Sequence, residues 1–548
     1  MFIKITKSRD YQYVQLVQSY RENGVVKHKV LLNLGRLEEI ENNPSFQRLG
    51  KRLLELSKAR EVTSLANFSE AQIKNWGYVV YQKIWNQLEL PKLLKKISAK
   101  RKVQFDLNDA SFLMAVQHLL EPRSKLGTYN HQHRYASLPD VALNHLYRSL
   151  DLLCEHKELL EEEMFQKNRH LFNMQVDVVF YDVTTFSFAS VEADSLRDFG
   201  FSKDGKFNEV QVVLGLLIDC EGRPIGYELF PGNTFDGKTL EAALEKLEKR
   251  FGLRRVIIVA DRGINSKLNL KRIVERGYSY IFAARIKSMK KEITDVILDD
   301  DGYQEITDDE EEVLRYKVIE YINEFTAEGK KYKLPEKLVI TYSSRRAEKD
   351  RADRERLIEK AQTLLESKAK IQASNKRGGK KYLKEVDCTG TWVLDEEAIA
   401  RDKQFDGYYG IQTSEKEMSA KDILDAYHNL WRIEESFRVM KSTLEVRPVF
   451  HWTERRIKGH FVICFLAFLL ERTLEFKLRQ AGDDASPEKI REALNSLNFA
   501  EVEIEGEAFF IKTRSTELSK KLLRLMRIAP PGNVTRVKEF AARWQCQQ

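Results

Sequence analysis

Residues 176–182 read Val176-Asp177-Val178-Val179-Phe180-Tyr181-Asp182, and residues 255–261 read Arg255-Val256-Ile257-Ile258-Val259-Ala260-Asp261. Both are short runs rich in β-branched residues that close on an aspartate, and such runs predict strands buried on both faces, as in a parallel sheet. Between them, Val210–Asp219 and Pro224–Phe230 are two more strand-like runs, and the short Glu221-Gly222-Arg223 link makes them antiparallel hairpin partners. Thr239–Phe251 has the spacing of an amphipathic helix and stops at Gly252. Ser266–Arg276 repeats that pattern and stops at Gly277, and Tyr278–Ala284 is a further strand.

The resulting order, β-β-β-α-β-α-β, predicts an α/β fold with a ribonuclease-H-like core in which the first and fourth strands lie side by side. At 548 residues, against about 100–200 per domain, the chain calls for three or four domains. Residues 1–45 alternate in period two, with a strand on either side of Asn23-Gly24 and with Lys27, His28 and Lys29 making the second strand basic. Residues 46–172 are helical in pattern, as in Ala110–Leu120 and Leu143–Leu153. Residues 173–285 form the first part of the core. Residues 286–415 are polar and charged, with one strand-like run (Lys337–Tyr342), a mixed-charge helix and a basic loop (Asn375–Lys381), and read as a β-rich inserted domain. Residues 416–475 return to the core, and 476–548 are helical apart from Phe509–Thr513.

A hydrophobic content of 42% supports globular cores, and the net charge of +8 suits a polyanionic partner as well as many ordinary cytosolic proteins. The five cysteines form no C-x-x-C pair, which argues against a disulfide framework and against a zinc module of that kind. The N-terminus lacks a signal-peptide apolar core, and the most apolar run, Phe461–Leu470, is about half a membrane span. No membrane segment is expected. His131 and His133 share a polar loop without a third ligand nearby and read as plain loop histidines.

Asp182 and Asp261 close strands that the topology makes neighbours. Two adjacent carboxylates repel unless a cation lies between them, and oxygen-only ligation suits Mg²⁺. Either aspartate alone reads as a turn residue; the pair together points to a metal. A helix from Lys421 to about Leu444 supplies a third carboxylate: Tyr427, Glu434 and Lys441 stand seven apart, so each is only about 20° off the last. Ile433, Phe437, Met440 and Leu444 form a separate apolar stripe for packing on the sheet, and Glu435 reads as an ordinary solvated neighbour.

The segment Tyr427–Lys441, with Trp431-Arg432-Ile433-Glu434-Glu435, resembles the Y-R-E-K signature of DDE transposases of bacterial insertion sequences, in the insertion-sequence-four superfamily. Tyr181-Asp182-Val183-Thr184-Thr185 and Val259-Ala260-Asp261-Arg262-Gly263 resemble that family's two aspartate motifs, and Gly232-Asn233-Thr234-Phe235-Asp236 and the stretch Ser202–Gln211 also look like it. The likeness spans about 180–470. It implies metal-dependent cut-and-paste transposition, with catalytic Asp182, Asp261 and Glu434 holding two Mg²⁺ ions (Mn²⁺ able to substitute) and Tyr427 and Lys441 on phosphates. The signature arginine is Leu430 here, so Arg432 or Arg438 is expected to supply that contact. Trp392 is the candidate for stacking on a flipped base, with a core role as its alternative, and Lys380 lies in the loop expected to follow the DNA backbone. The partners implied are double-stranded DNA with terminal inverted repeats, target DNA and a second copy of the chain, and the location implied is the bacterial cytoplasm, on the nucleoid. Residues 46–172 are expected to bind the DNA ends and 476–548 to dimerise. A silenced DNA-binding descendant and a nuclease without strand transfer are the competing readings.

Overall fold

The computed structural model describes the chain except for residues 1, 9–10, 23–24, 42, 47, 49–51, 53–70, 100–102, 172–176, 202–207, 252–255, 307–313, 368–370, 372–377, 387–390, 448, 505–506 and 546–548. The Asn23-Gly24 turn, the Ser202-Lys203-Asp204 stretch and most of the basic loop before Gly378 lie outside the described residues. An N-terminal sheet of β1 (Phe2–Ser8), β2 (Tyr11–Glu22) and β3 (Val25–Arg36) comes first. After β4 (Gln72–Asn75) helices dominate the described residues up to 171, among them α1 (Leu107–Leu120) and α2 (Leu143–Glu155).

Then come β5 (Val178–Ser187), β6 (Gln211–Asp219), β7 (Pro224–Pro231), α3 (Asp236–Phe251), β8 (Ile257–Ala260), α4 (Lys267–Glu275) and β9 (Ser279–Ala283). This is the order expected from the hydrophobic pattern. β5 pairs antiparallel with β6 and parallel with β8, and β8 pairs parallel with β9. One correction concerns Asp182: β5 runs five residues past it, to Ser187, because Val183–Ser187 continue the ladder to β6. Asp182 therefore lies within the strand, two residues beyond its last pairing with β8.

A second correction concerns residues 286–415. The strands β10 (Gln304–Glu305), β11 (Leu314–Ala327), β12 (Lys330–Ser343) and β15 (Tyr408–Thr413) join the same sheet, whose order is β10-β11-β12-β15-β9-β8-β5-β6-β7. Ile411 pairs with Ala283 and Val339 with Ile411, so the open edge of β9 is covered by strands that return to it. An uncovered edge of backbone donors and acceptors is a liability, and Leu338, Val339 and Ile340, all buried, supply the apolar surface for pairing. The stretch from α5 (Ser344–Leu365) through the hairpin of β13 (Leu383–Glu385) and β14 (Trp392–Leu394) has a small core of its own, around Ala361, Ile371, Tyr382 and Leu383, and Ile286, Ile297, Leu338, Ile340 and Phe405 form another with Ala284.

The sheet has two covered faces. Val179, Tyr181, Val183, Ile258 and Ala260 share a core with α3 and α4 residues such as Leu244 and Leu270. Phe180, Phe186 and Val259 face the other way, into the core built with α6 (Ala420–His428), α7 (Trp431–Arg438) and α8 (Glu454–Gln480). Every residue of α8 from Gly459 to Phe476 is buried, and α2 lies so close that a side chain at Gly459 would collide with the Leu150 backbone. Among the described residues no helix is long and apolar enough to cross a membrane. The C-terminal region is not purely helical: β16 (Asn498–Ile504), β17 (Glu507–Lys512) and β18 (Val534–Arg536) form a sheet with β4, in which Phe499 and Phe510 stack at 4.7 Å.

Candidate active site

Strand alternation decides which way the two aspartates face. On β5, Phe180 and Phe186 face the α7 side while Tyr181 and Val183 face away, which puts Asp182 on the α7 side. On β8, Val259 faces α7 and Ala260 faces away, so the next residue, Asp261, returns to the α7 side. Phe180 pairs with Val259, and the same register continued by two residues sets Asp182 level with Asp261.

The helix over this face carries Glu434. Ile433 and Phe437 of α7 are buried against the sheet, and Glu434, between them in sequence, is exposed and without a polar partner among the described residues. Glu435 behaves differently from the expectation of a solvated neighbour: it lies 3.4 Å from the guanidinium of buried Arg472 on α8 and so ties α7 to the core. Tyr427 reaches the crevice directly. Its hydroxyl donates to Asp261 Oδ1 at 3.4 Å and shares a 2.6 Å hydrogen bond with the Tyr409 hydroxyl. Burial, reinforced by Tyr409 and Asp261, holds the Tyr427 phenol well above its ordinary pKa, so it stays protonated.

The seven-residue stripe is not carried by one uniform helix. Leu430, Arg432 and Ile433 each donate to the carbonyl three residues back, a tight stretch that separates α6 from α7. Residues Val439–Thr443, including Lys441, form a wide π turn. The tight stretch overwinds the helix and the wide turn underwinds it, so the phase has to be read from contacts. Lys441 Nζ lies 5.7 Å from the ring of Phe186, four residues beyond Asp182 on β5. Leu430, where the signature has arginine, is buried in the core.

The loop after β8 is held from beneath. Asn265 donates to the Ala283 carbonyl at 2.8 Å and to Gln412 at 2.9 Å, and Gln412 donates to buried Glu336, which also receives Tyr280, Tyr321 and Asn323. This network fixes the segment that presents Asp261. Gly232 of the Gly-Asn-Thr motif is explained by close approach, since a Cβ there would strike the backbone at Asp198 and Gln211. Asn233 donates to Asp198 at 2.6 Å.

Other candidates fall elsewhere. Arg432 donates to Asn429 and lies by Gly222, in the turn after β6, at the end of β5 away from Lys441. Arg438 is exposed and loosely paired with Glu435 at 4.0 Å. Lys380 stands 5.2 Å from the Trp392 ring, and Trp392 packs on the small core of the α5 region, so the two belong to each other more directly than to the carboxylates. The structure adds a cleft of about 380 Å³ next to Arg262, lined by Arg262, Arg285, Arg346 and Lys381 and also by Asp350, Asp353, Asp402 and Asp406. Arg262 and Arg285 have no carboxylate partner among the described residues, though Arg285 donates to the Arg262 carbonyl. Arg262 belongs to the Asp261-Arg262-Gly263 motif, whereas nothing in the local sequence marks Arg285, because the cleft is formed by segments far apart in the chain.

Residues 175–470 match the model of the transposase DDE domain, and residues 3–65 match the N-terminal domain of the IS1634 family of transposases. The chain belongs to the DDE transposases of insertion sequences. It is a DNA-cleaving and strand-transferring enzyme, and DDE domains work with divalent metal ions. A comparison with curated proteins finds no match. Among solved structures, the cryo-EM structure of the piggyBac transposase synaptic complex with hairpin DNA is 10% identical, with 87% of this chain and 88% of that chain covered at a TM-score of 0.36. The Mos1 transposase paired-end complex with the left transposon end is 12% identical, covering 33% and 60% at a TM-score of 0.15. Both superpose too loosely to guide any residue assignment.

Proposed function

We propose that this transposase cuts and pastes DNA at terminal inverted repeats with Asp182, Asp261 and Glu434 as its catalytic carboxylates, on a ribonuclease-H-like core. The observation that carries the reading is that β5, β8 and α7 bring Asp182, Asp261 and Glu434 to the same side of the sheet. The strand order β7-β6-β5-β8-β9, with parallel pairing from β5 to β9, supports the core assignment. An all-oxygen donor set, with Asp261 and Glu434 exposed, fits two Mg²⁺ ions, for which Mn²⁺ can substitute. Such ions activate the attacking oxygen and stabilise the leaving oxygen of a phosphodiester.

The chain's own side chains do the holding. Tyr427, kept protonated beside Asp261, donates a hydrogen bond to a phosphate oxygen next to the scissile bond. Lys441, above Phe186, places a point charge on the same strand. Arg262 and Arg285 extend the cationic surface into the neighbouring cleft, where the backbone of the flanking DNA fits. End recognition belongs to the N-terminal region. Within it, α1 has 12 of its 14 residues buried, whereas Lys27, His28 and Lys29 on β3 are exposed, which favours the sheet as the reading element. Two copies of the chain, each on one end, are the expected assembly for capturing target DNA.

The test is cleavage by purified protein with Mg²⁺ and DNA carrying the inverted repeats of its own element, beside the Glu434→Gln protein. Cutting and joining by wild type alone supports the assignment. Equal cutting by both would remove Glu434 from the site, and binding without cutting by either would turn the reading to a silenced DNA-binding descendant.

A further inference from the structure

A second constellation lies within the helical core, away from the carboxylates. His118 near the end of α1 and His460 and Cys464 on α8 are all buried, and their ligand atoms lie within 4.8 Å of one another. His460 and Cys464 are four apart on one helix and so share a face. His118 comes from 342 residues away in sequence, brought in by the packing of α1 on α8.

The backbone sets the tautomers. His118 Nδ1 lies 2.9 Å from the Leu444 carbonyl, and His460 Nε2 lies 3.2 Å from the Val446 carbonyl. A carbonyl only accepts, so each of those nitrogens carries the proton and donates. The remaining nitrogens, His118 Nε2 and His460 Nδ1, are therefore bare lone pairs, and each stands 4.0 Å from Cys464 Sγ. His460 Nε2 is itself 3.5 Å from the sulfur. Metal-binding imidazoles commonly donate their outer N–H to a backbone carbonyl, and here both do. A tetrahedral ion at ordinary Zn–N and Zn–S lengths needs about 3.6 Å between nitrogen and sulfur, so each of these pairs has to close by about 0.4 Å and the His460 ring has to turn its Nδ1 toward the sulfur.

We propose that His118, His460 and Cys464 form a binding site for one borderline-soft transition-metal ion such as Zn²⁺, distinct from the carboxylate centre. Thiolate and imidazole select against Mg²⁺, so the two centres do not compete for the same ion. In the metal-free chain the cation's place is contested by Lys125, whose Nζ donates to His118 Nε2 at 3.1 Å and has no carboxylate partner among the described residues. Binding is balanced when the thiol proton and one ammonium proton leave to solvent: a single ammonium charge is exchanged for a divalent ion and a thiolate, and the buried charge stays at +1. Both carbonyls held by the outer N–H groups belong to the turn that ends the Glu434–Lys441 helix, where Glu445 adopts a left-handed φ of 44°. An ion at this site ties that turn to α1 and α8.

The experiment uses the full chain carrying Asp182→Asn, Asp261→Asn and Glu434→Gln, so that the carboxylate centre is silent, dialysed against Zn²⁺ or Co²⁺. About one equivalent of metal is expected to remain, with a sulfur-to-cobalt charge-transfer band in the Co²⁺ form. Cys464→Ser, close in size, is expected to abolish the band and weaken retention at least tenfold. Lys125→Met is expected to tighten binding, the opposite of what damage to the fold would do. No retained metal, a band that survives Cys464→Ser, or weaker binding by Lys125→Met would overturn the proposal.

Discussion

Two carboxylates of the crevice, Asp261 and Glu434, are treated in the opposite way to Glu336 inside the molecule. Glu336 on β12 is buried and accepts from two tyrosines, an asparagine and a glutamine. A buried carboxylate is tolerable only when donors replace the water it has lost. Asp261 keeps a single 3.4 Å bond, and Glu434 has no polar partner among the described residues. An exposed carboxylate with few donors is still available to a cation. The contrast recurs within two residues, where Glu435 is engaged by Arg472 and its neighbour Glu434 is not. Donor supply thus separates carboxylates that hold the fold from those free to act on a ligand.

That contrast can be broken or sharpened by substitution. The largest effect is expected for Glu434→Gln: end cleavage falls by about 10³-fold, corresponding to several kcal/mol of lost charge stabilisation, while the melting temperature stays near that of wild type. A cleavage rate within threefold of wild type would place Glu434 among the structural acids. Tyr427→Phe removes the hydroxyl between Asp261 and Tyr409, and a drop in cleavage of about tenfold is expected, with DNA affinity little changed, as a gel-shift titration beside the rate would report. Glu336→Gln sets an amide against four donors; unfolding titrations should show a loss of about 1–3 kcal/mol, and unchanged stability would mean that the network is dispensable. Glu435→Gln should cost about 1 kcal/mol by weakening the Arg472 contact, with cleavage reduced far less than by Glu434→Gln.

A pH dependence is expected as well. Burial pushes the Glu471 carboxyl up to about 8 from an ordinary value of 4.5. Its folded pKa lies above its unfolded one, so its contribution is full below about pH 4.5 and is lost as pH rises toward 8. Glu471→Gln is accordingly expected to gain stability relative to wild type between pH 5 and pH 9. Melting curves across that range check this, and a constant difference would show that Glu471 does not titrate there.

The core strands and helices were legible because their periodicities are local: β5 through β9, with α3 and α4 between them, follow the order that the hydrophobic pattern predicts. The two aspartates were legible for the same reason, each standing just past an apolar run. Residues 286–415 misled because mixed charge suggests a separate domain, whereas the open edge of β9 recruits β15, β12 and β11 from that segment. Of the C-terminal strands, β17 falls on the strand-like Phe509–Thr513 stretch, whereas β16 misled because its partner is β4, more than 400 residues earlier.

Chain composition and spacing by themselves singled out the candidate residues: two aspartates after strand-like runs, and a tyrosine, a glutamate and a lysine at helical intervals. Tertiary structure decided which of them meet. The parity of β5 and β8 turns both aspartates toward α7, and a tight stretch followed by a π turn sets the helix phase that no uniform periodicity supplies. It also decided what sequence does not mark, the histidine and cysteine group at the end of that helix and Arg285 in the cleft next to Arg262. Local patterns report the conformational preferences of neighbouring residues, whereas a site assembled from distant segments exists only after burial has brought them together.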